Sequence, residues 1–118
     1  MDLTSSAPQY RVDKFIVPPA AMPAFMARLE YTRRALGELP GCRQNLVLTQ
    51  TAGPGEFNVV TIVEWASQQA LAEARAAMQA RYAQEGFDTA AFLAQLGVRA
   101  DLAVYAPAAA APSALEGR

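Results

Sequence analysis

Histidine is absent from the 118 residues of this sequence, and cysteine, tryptophan and lysine occur once each, as Cys42, Trp65 and Lys14. Without histidine there is no Ser-His-Asp or Cys-His catalytic set, no common zinc ligand set and no proximal haem ligand of the commonest kind. One cysteine cannot close an intrachain disulfide, so the composition fits a reduced, cytoplasmic setting. No apolar run approaches the roughly 18 residues that suggest a membrane span. Met1 to Pro8 is polar, carries Asp2, and has neither the basic start nor the apolar centre of a secretory leader. Positive charge is not in excess either: 10 basic residues face 11 acidic ones, which leaves no electrostatic footprint for nucleic acid or an anionic membrane. Gly53-Pro54-Gly55 lacks the lysine and the strand-to-helix context of a phosphate loop, and the acidic residues are too scattered for a metal cluster. No cofactor and no metal are therefore expected.

What is present is apolar and patterned. With 53% hydrophobic and 18% charged residues, the chain can build one core. That domain is expected over residues 10–106, between a disordered N-terminal tail, 1–9, and an Ala/Pro-rich tail, 107–118. Tyr10 to Val17, rich in β-branched and aromatic residues, reads as a strand stopped by Pro18-Pro19. From Met22 the period changes. Met22, Phe25, Met26, Leu29 and Leu36 line one side of a helix, with Arg28, Glu30, Tyr31 and Arg34 expected to point away and Tyr31 at the surface or in a dimer contact. Gly37 or Pro40-Gly41 closes it.

Gln44 to Thr51 and Phe57 to Trp65 form a hairpin around Ala52-Gly53-Pro54-Gly55-Glu56. Ser67 caps a second helix that runs to Gly86 and buries Leu71, Ala74, Met78 and Tyr82. A shorter helix starts at Asp88 or Thr89 and stops at Gly97, and Val98 to Tyr105 alternates as the last strand. The order β-α-β-β-α-(α)-β is that of an α+β, ferredoxin-like domain, with helices over one face of a four-stranded antiparallel sheet. Phe57, Val59, Thr61, Val63 and Trp65 share one face of their strand, yet Val60 and Ile62 on the other are apolar too. Either that strand is simply central and β-prone, or two sheets pack face to face in a homodimer.

The first strand and helix, Pro40-Gly41, Leu48-Thr49-Gln50-Thr51, and the run from Phe57 through Glu64-Trp65-Ala66-Ser67 into Gln68-Gln69-Ala70-Leu71 resemble the antibiotic biosynthesis monooxygenase family. The resemblance implies a dimeric α+β barrel and, among the family's activities, cofactor-independent oxygenation of phenols and quinone precursors or haem degradation. Trp65 matches the family's strand-ending tryptophan, which borders a cavity between sheet and helices. Haem-degrading relatives have an Asn in the first strand and a Trp and a His ten apart on the second helix, where this chain has Asp13, Ala74 and Gln84. The polyketide-type oxygenases have an Asn four residues before the Trp, a Tyr six after and an Arg about twenty after. Here those places hold Thr61, Leu71 and Glu85.

Other residues qualify on chemistry. Arg33 and Arg75 interrupt the apolar stripes of the two long helices, so each either offers a guanidinium to a substrate oxyanion or runs its stem along the surface to an acid such as Glu30, Glu73 or Asp101. Asp13 shares a strand face with Phe15 and Val17, and is either a base with a raised pKa or the partner of an arginine. Tyr82 is the helix-two hydroxyl best placed to point inward. The expected site thus has Asp13, Arg33 and Arg75 as catalytic groups and Trp65, Thr61, Tyr82 and Phe25 against the substrate. The expected function is cofactor-independent monooxygenation of a small aromatic or quinone-like molecule. The alternatives are a non-catalytic small-molecule-binding dimer and a small isomerase or lyase on the same fold.

Overall fold

The computed structural model describes residues 7–108. Strand β1 (Gln9–Ile16) ends at Pro18, and a short 3-10 turn, Pro19–Ala21, leads into helix α1 (Met22–Gly37) with Pro23 in its first turn. Proline is tolerated there because the first amide protons of a helix have no partner within it. Strands β2 (Cys42–Thr49) and β3 (Val59–Trp65) follow as the hairpin. In its loop the Gln50 side-chain amide donates to the carbonyls of Gly53 and Gly55. Helix α2 (Gln68–Glu85) is capped by the Ser67 hydroxyl, which accepts from the Ala70 amide, and ends at Gly86 with φ +67°. Helix α3 (Thr89–Leu96) repeats the pattern with Asp88 and Gly97, and β4 (Arg99–Tyr105) closes the domain.

The strand boundaries differ from expectation by one or two residues, the interval over which hydrogen-bond pairing rather than composition decides. Gln9, expected in the N-terminal tail, instead pairs with Trp65 and is 7% exposed. The sheet is antiparallel throughout, in the order β2-β3-β1-β4, and three helices accompany it in an α+β ferredoxin-like fold. Just before the start of β3, the side chain of Asn58 accepts from the Val17 amide at 2.8 Å and donates to the Val17 carbonyl at 2.9 Å. Asn58 thereby extends the β1-β3 ladder with a side chain. Gly41, at φ +88°, makes another close approach: a Cβ there would stand 2.6 Å from the Ala70 Cβ on α2.

Register fixes the two faces. Val59, Thr61, Val63 and Trp65 oppose Phe15, Asp13, Arg11 and Gln9 on the side covered by helices. That side carries two packed clusters, one built on Phe15, Val17, Phe25, Val59 and Val98, the other on Val63, Trp65 and Ala74. The other side presents Val12, Val60, Ile62, Leu46 and Leu48, with the two leucines 41% and 46% exposed, so this strand is apolar on both faces. β4 lies at the sheet edge beyond full helix cover: Leu102, on the inner face, is 51% exposed. No helix among the described residues is long and apolar enough to cross a membrane.

Candidate functional site

Between the two clusters, sheet and helices leave a cavity of about 280 Å³. An apolar void of roughly 150 Å³ holds one benzene, so the space suits a ligand of about two fused rings. Asp13, Phe25, Arg33, Thr61, Trp65, Arg75 and Tyr82, the residues singled out in the sequence, all border this one cavity. Their states within it differ.

Trp65 is 2% exposed and Phe25 3%, and Phe25 meets Phe15 edge-on with centroids 4.9 Å apart. Both are fixed by the core behind them, so the surfaces they turn to the cavity are rigid. Thr61 sits between Val59 and Val63 on β3, directly across from Asp13 on β1. The Asp13 side chain is only 18% exposed, and burial raises its pKa above the ordinary 3.8, against the opposing pull of Arg11, whose Nε donates to Oδ1 at 2.7 Å. Asp13 thus pairs with an arginine, while burial holds its pKa above the ordinary value. Arg11 lies two residues away on the same strand face, and this alternation is the signal by which the sequence could have placed it.

Arg33 is met by its own helix. Its Nε and Nη2 donate to the two carboxylate oxygens of Glu30 at 2.9 and 2.7 Å, a two-point pair that lowers the Glu30 pKa by hydrogen bonding. Arg75 is exposed at the rim. Asn45 on β2 also borders the cavity and donates to the Arg33 carbonyl at 2.6 Å, which ties the hairpin to the last turns of α1.

Arg28 corrects the sequence reading. Expected to point away from the core, it borders the cavity instead, with its guanidinium carbon 3.4 Å from the Phe87 ring centroid, 4.6 Å from Tyr31 and 5.2 Å from Tyr82. Its Nε and Nη2 are enclosed and have no hydrogen-bond partner among the described residues. A buried donor left so costs about 1–3 kcal/mol, partly offset here by attraction between the cation and the ring faces. Arg28 follows Phe25 by three residues and shares its side of the helix, but the rings that receive it come from α2 and the link to α3. Tyr31, expected at the surface or in a dimer contact, is half-buried and bridges to α2: its hydroxyl donates to Glu85 Oε2 and accepts from Arg81 Nε at 3.0 Å. The Tyr31 hydrogen bond is the main cause of a lowered Glu85 pKa.

Three solved structures share this architecture. A provisionally named monooxygenase from Shewanella loihica PV-4 superposes with a TM-score of 0.66 at 18% identity, over 85% of this chain and 93% of that one. A conserved protein from Methanosarcina mazei Go1 gives 0.65 at 18%, over 86% and 94%. SnoaB, a cofactor-independent oxygenase from Streptomyces nogalater, gives 0.55 at 22%, over 84% and 91%. No curated protein matches the sequence. Residues 8–86 match the family described as antibiotic biosynthesis monooxygenase, a span that includes β1, the hairpin, both long helices and most of the cavity wall, and this chain belongs to that family.

Proposed function

We propose that the protein is a cofactor-independent monooxygenase acting on a small aromatic or quinone-precursor compound. The observation that carries this reading is a carboxyl of raised pKa, Asp13, on the floor of an otherwise largely apolar cavity walled by Trp65 and Phe25. A flat substrate stacks along those walls. Asp13 takes a proton from a ring methylene flanked by aryl groups, and the carbanion delocalises onto a ring oxygen. Addition of O2 and that proton's return give a hydroperoxide, which eliminates water to leave a ketone, so the substrate supplies every electron and both oxygen atoms are accounted for. Thr61 and Tyr82 border the substrate as hydroxyl donors, and Arg75 at the rim contributes positive charge, whereas the charge of Arg33 is met by Glu30.

Oxygen uptake with a panel of anthrones and hydroxyquinones tests the assignment. Expected is consumption above a no-protein control, an acid limb with its midpoint above 3.8, and a loss of about 10²–10⁴-fold in Asp13→Asn. Uptake equal to the control, with ligand still bound, would instead favour the non-catalytic binding dimer, a reading that Thr61, Leu71 and Glu85 at the family's oxygenase positions support.

The apolar outer face of the sheet supports a homodimer of barrel type, since an antiparallel sheet facing water normally alternates with polar residues. Sedimentation equilibrium is expected to give about twice 12.6 kDa, and a species that stays at 12.6 kDa refutes the pairing. The free Cys42 thiol is compatible with a reduced, cytoplasmic setting.

A further inference from the structure

We infer that Arg28 is the anion-recognition residue of the cavity, and that the ligand carries a carboxylate, phenolate or enolate on its aromatic framework. The inference rests on reading the cavity as a ligand site and adds the substrate's charge to it. Four arginines border the cavity, and three are accounted for. Arg11 holds Asp13, Arg33 is met at two points by Glu30, and Arg75 is solvated at the rim. Arg28 alone has enclosed nitrogens without a hydrogen bond among the described residues, its ion pair with Glu85 being a long one. The nearest carboxylate oxygen, Glu85 Oε1, stands 3.6 Å from Nη2, outside hydrogen-bond range, while Oε2 of the same group is engaged by Tyr31 and Arg81.

The setting selects the partner. Phe87 under the guanidinium, with Tyr31 and Tyr82 beside it, holds its plane in place, so little side-chain freedom is lost when a ligand binds. A fixed planar fork matches two coplanar oxygens, as in a carboxylate or a chelated keto-enolate. Aromatic rings offer no competing acceptor of comparable strength. A neutral ligand of the same shape would fill the volume and leave both donors as they are.

The test is isothermal titration calorimetry of the full chain with 2-naphthoate and its neutral counterpart 2-naphthamide, both of two-ring size. The wild-type protein is expected to prefer naphthoate by about tenfold or more, or about 1.4 kcal/mol. In Arg28→Met the two ligands are expected to bind alike, with naphthamide affinity unchanged, whereas Arg28→Lys keeps part of the preference. Glu85→Gln leaves Arg28 in place and removes the competing charge, so naphthoate alone should bind several-fold tighter; this arm stays readable if Arg28→Met fails to fold. Equal affinities in the wild type, a preference that survives Arg28→Met, or no gain in Glu85→Gln each overturn the assignment of Arg28 while sparing the aromatic cavity. Failure of both ligands to bind overturns the cavity reading as well.

Discussion

Two neighbouring rungs of the same strand pair differ. Val59 and Phe15 are 0% and 6% exposed and pack against Phe25 and its neighbours, with Phe15 at the cavity's edge. One rung further along, Thr61 and Asp13 face the cavity. The strand pairing runs on unbroken between them, so the change from core to cavity is carried by side chains and by the helices above. The strands divide that work. β3 stays apolar around Thr61, with Val63 and Trp65 beyond it, while β1 turns charged with Asp13 and Arg11. The cavity thus has one hydrophobic wall and one polar wall from adjacent strands.

The largest expected effect comes from breaking the closed region. Trp65→Ala removes the anchor of the second cluster and should cost about 3–5 kcal/mol in urea unfolding. Next is a reciprocal pair of substitutions that trades the two rungs. Val59→Thr buries a hydroxyl where nothing is exposed and should cost about 1–3 kcal/mol, whereas Thr61→Val, beside open volume, should change stability by less than about 0.5 kcal/mol. Equal costs for the two would show that the rungs are not distinct environments. The last effect is a change of slope. Because burial raises the Asp13 pKa, the native state keeps a proton that the unfolded chain has already lost as pH climbs past 3.8. The contribution of Asp13 to native stability should therefore fall with rising pH across the interval from 3.8 to the raised value, against the opposite trend from Glu30 and Glu85. Asp13→Asn should lack that decline, and parallel stability curves for the two proteins across the interval would contradict it.

Much of the scaffold was legible because its punctuation is local. Pro18-Pro19, Ser67, Gly86, Asp88 and Gly97 each stop or start an element through their own backbone or side chain, and each does so in the structure. The apolar two-sidedness of β3 was equally readable from Val60 and Ile62. Arg28 was not, because the helical pattern groups it with the outward-facing Glu30, Tyr31 and Arg34, and two of the rings that receive it, Tyr82 and Phe87, lie more than fifty residues along the chain. Leu102 is the opposite case. Alternation along Val98 to Tyr105 sets out two faces, but only the strand order shows that β4 is an edge where helix cover runs out. Gln9 looked like tail because it is polar, yet its cross-strand neighbour Trp65 shelters it.

Gly41 acts at a distance that its own size does not suggest. It touches α2 at the first turn, and Tyr82 lies twelve residues on, about 18 Å along a stiff rod. A methyl at position 41 would meet the first turn of that rod closer than side chains come, so one of the two must give way. The missing side chain lets the segment before β2 lie directly against the helix that supplies Leu71, Ala74, Met78 and Tyr82 to the cavity wall, so α2 is seated from outside by a position that lines nothing.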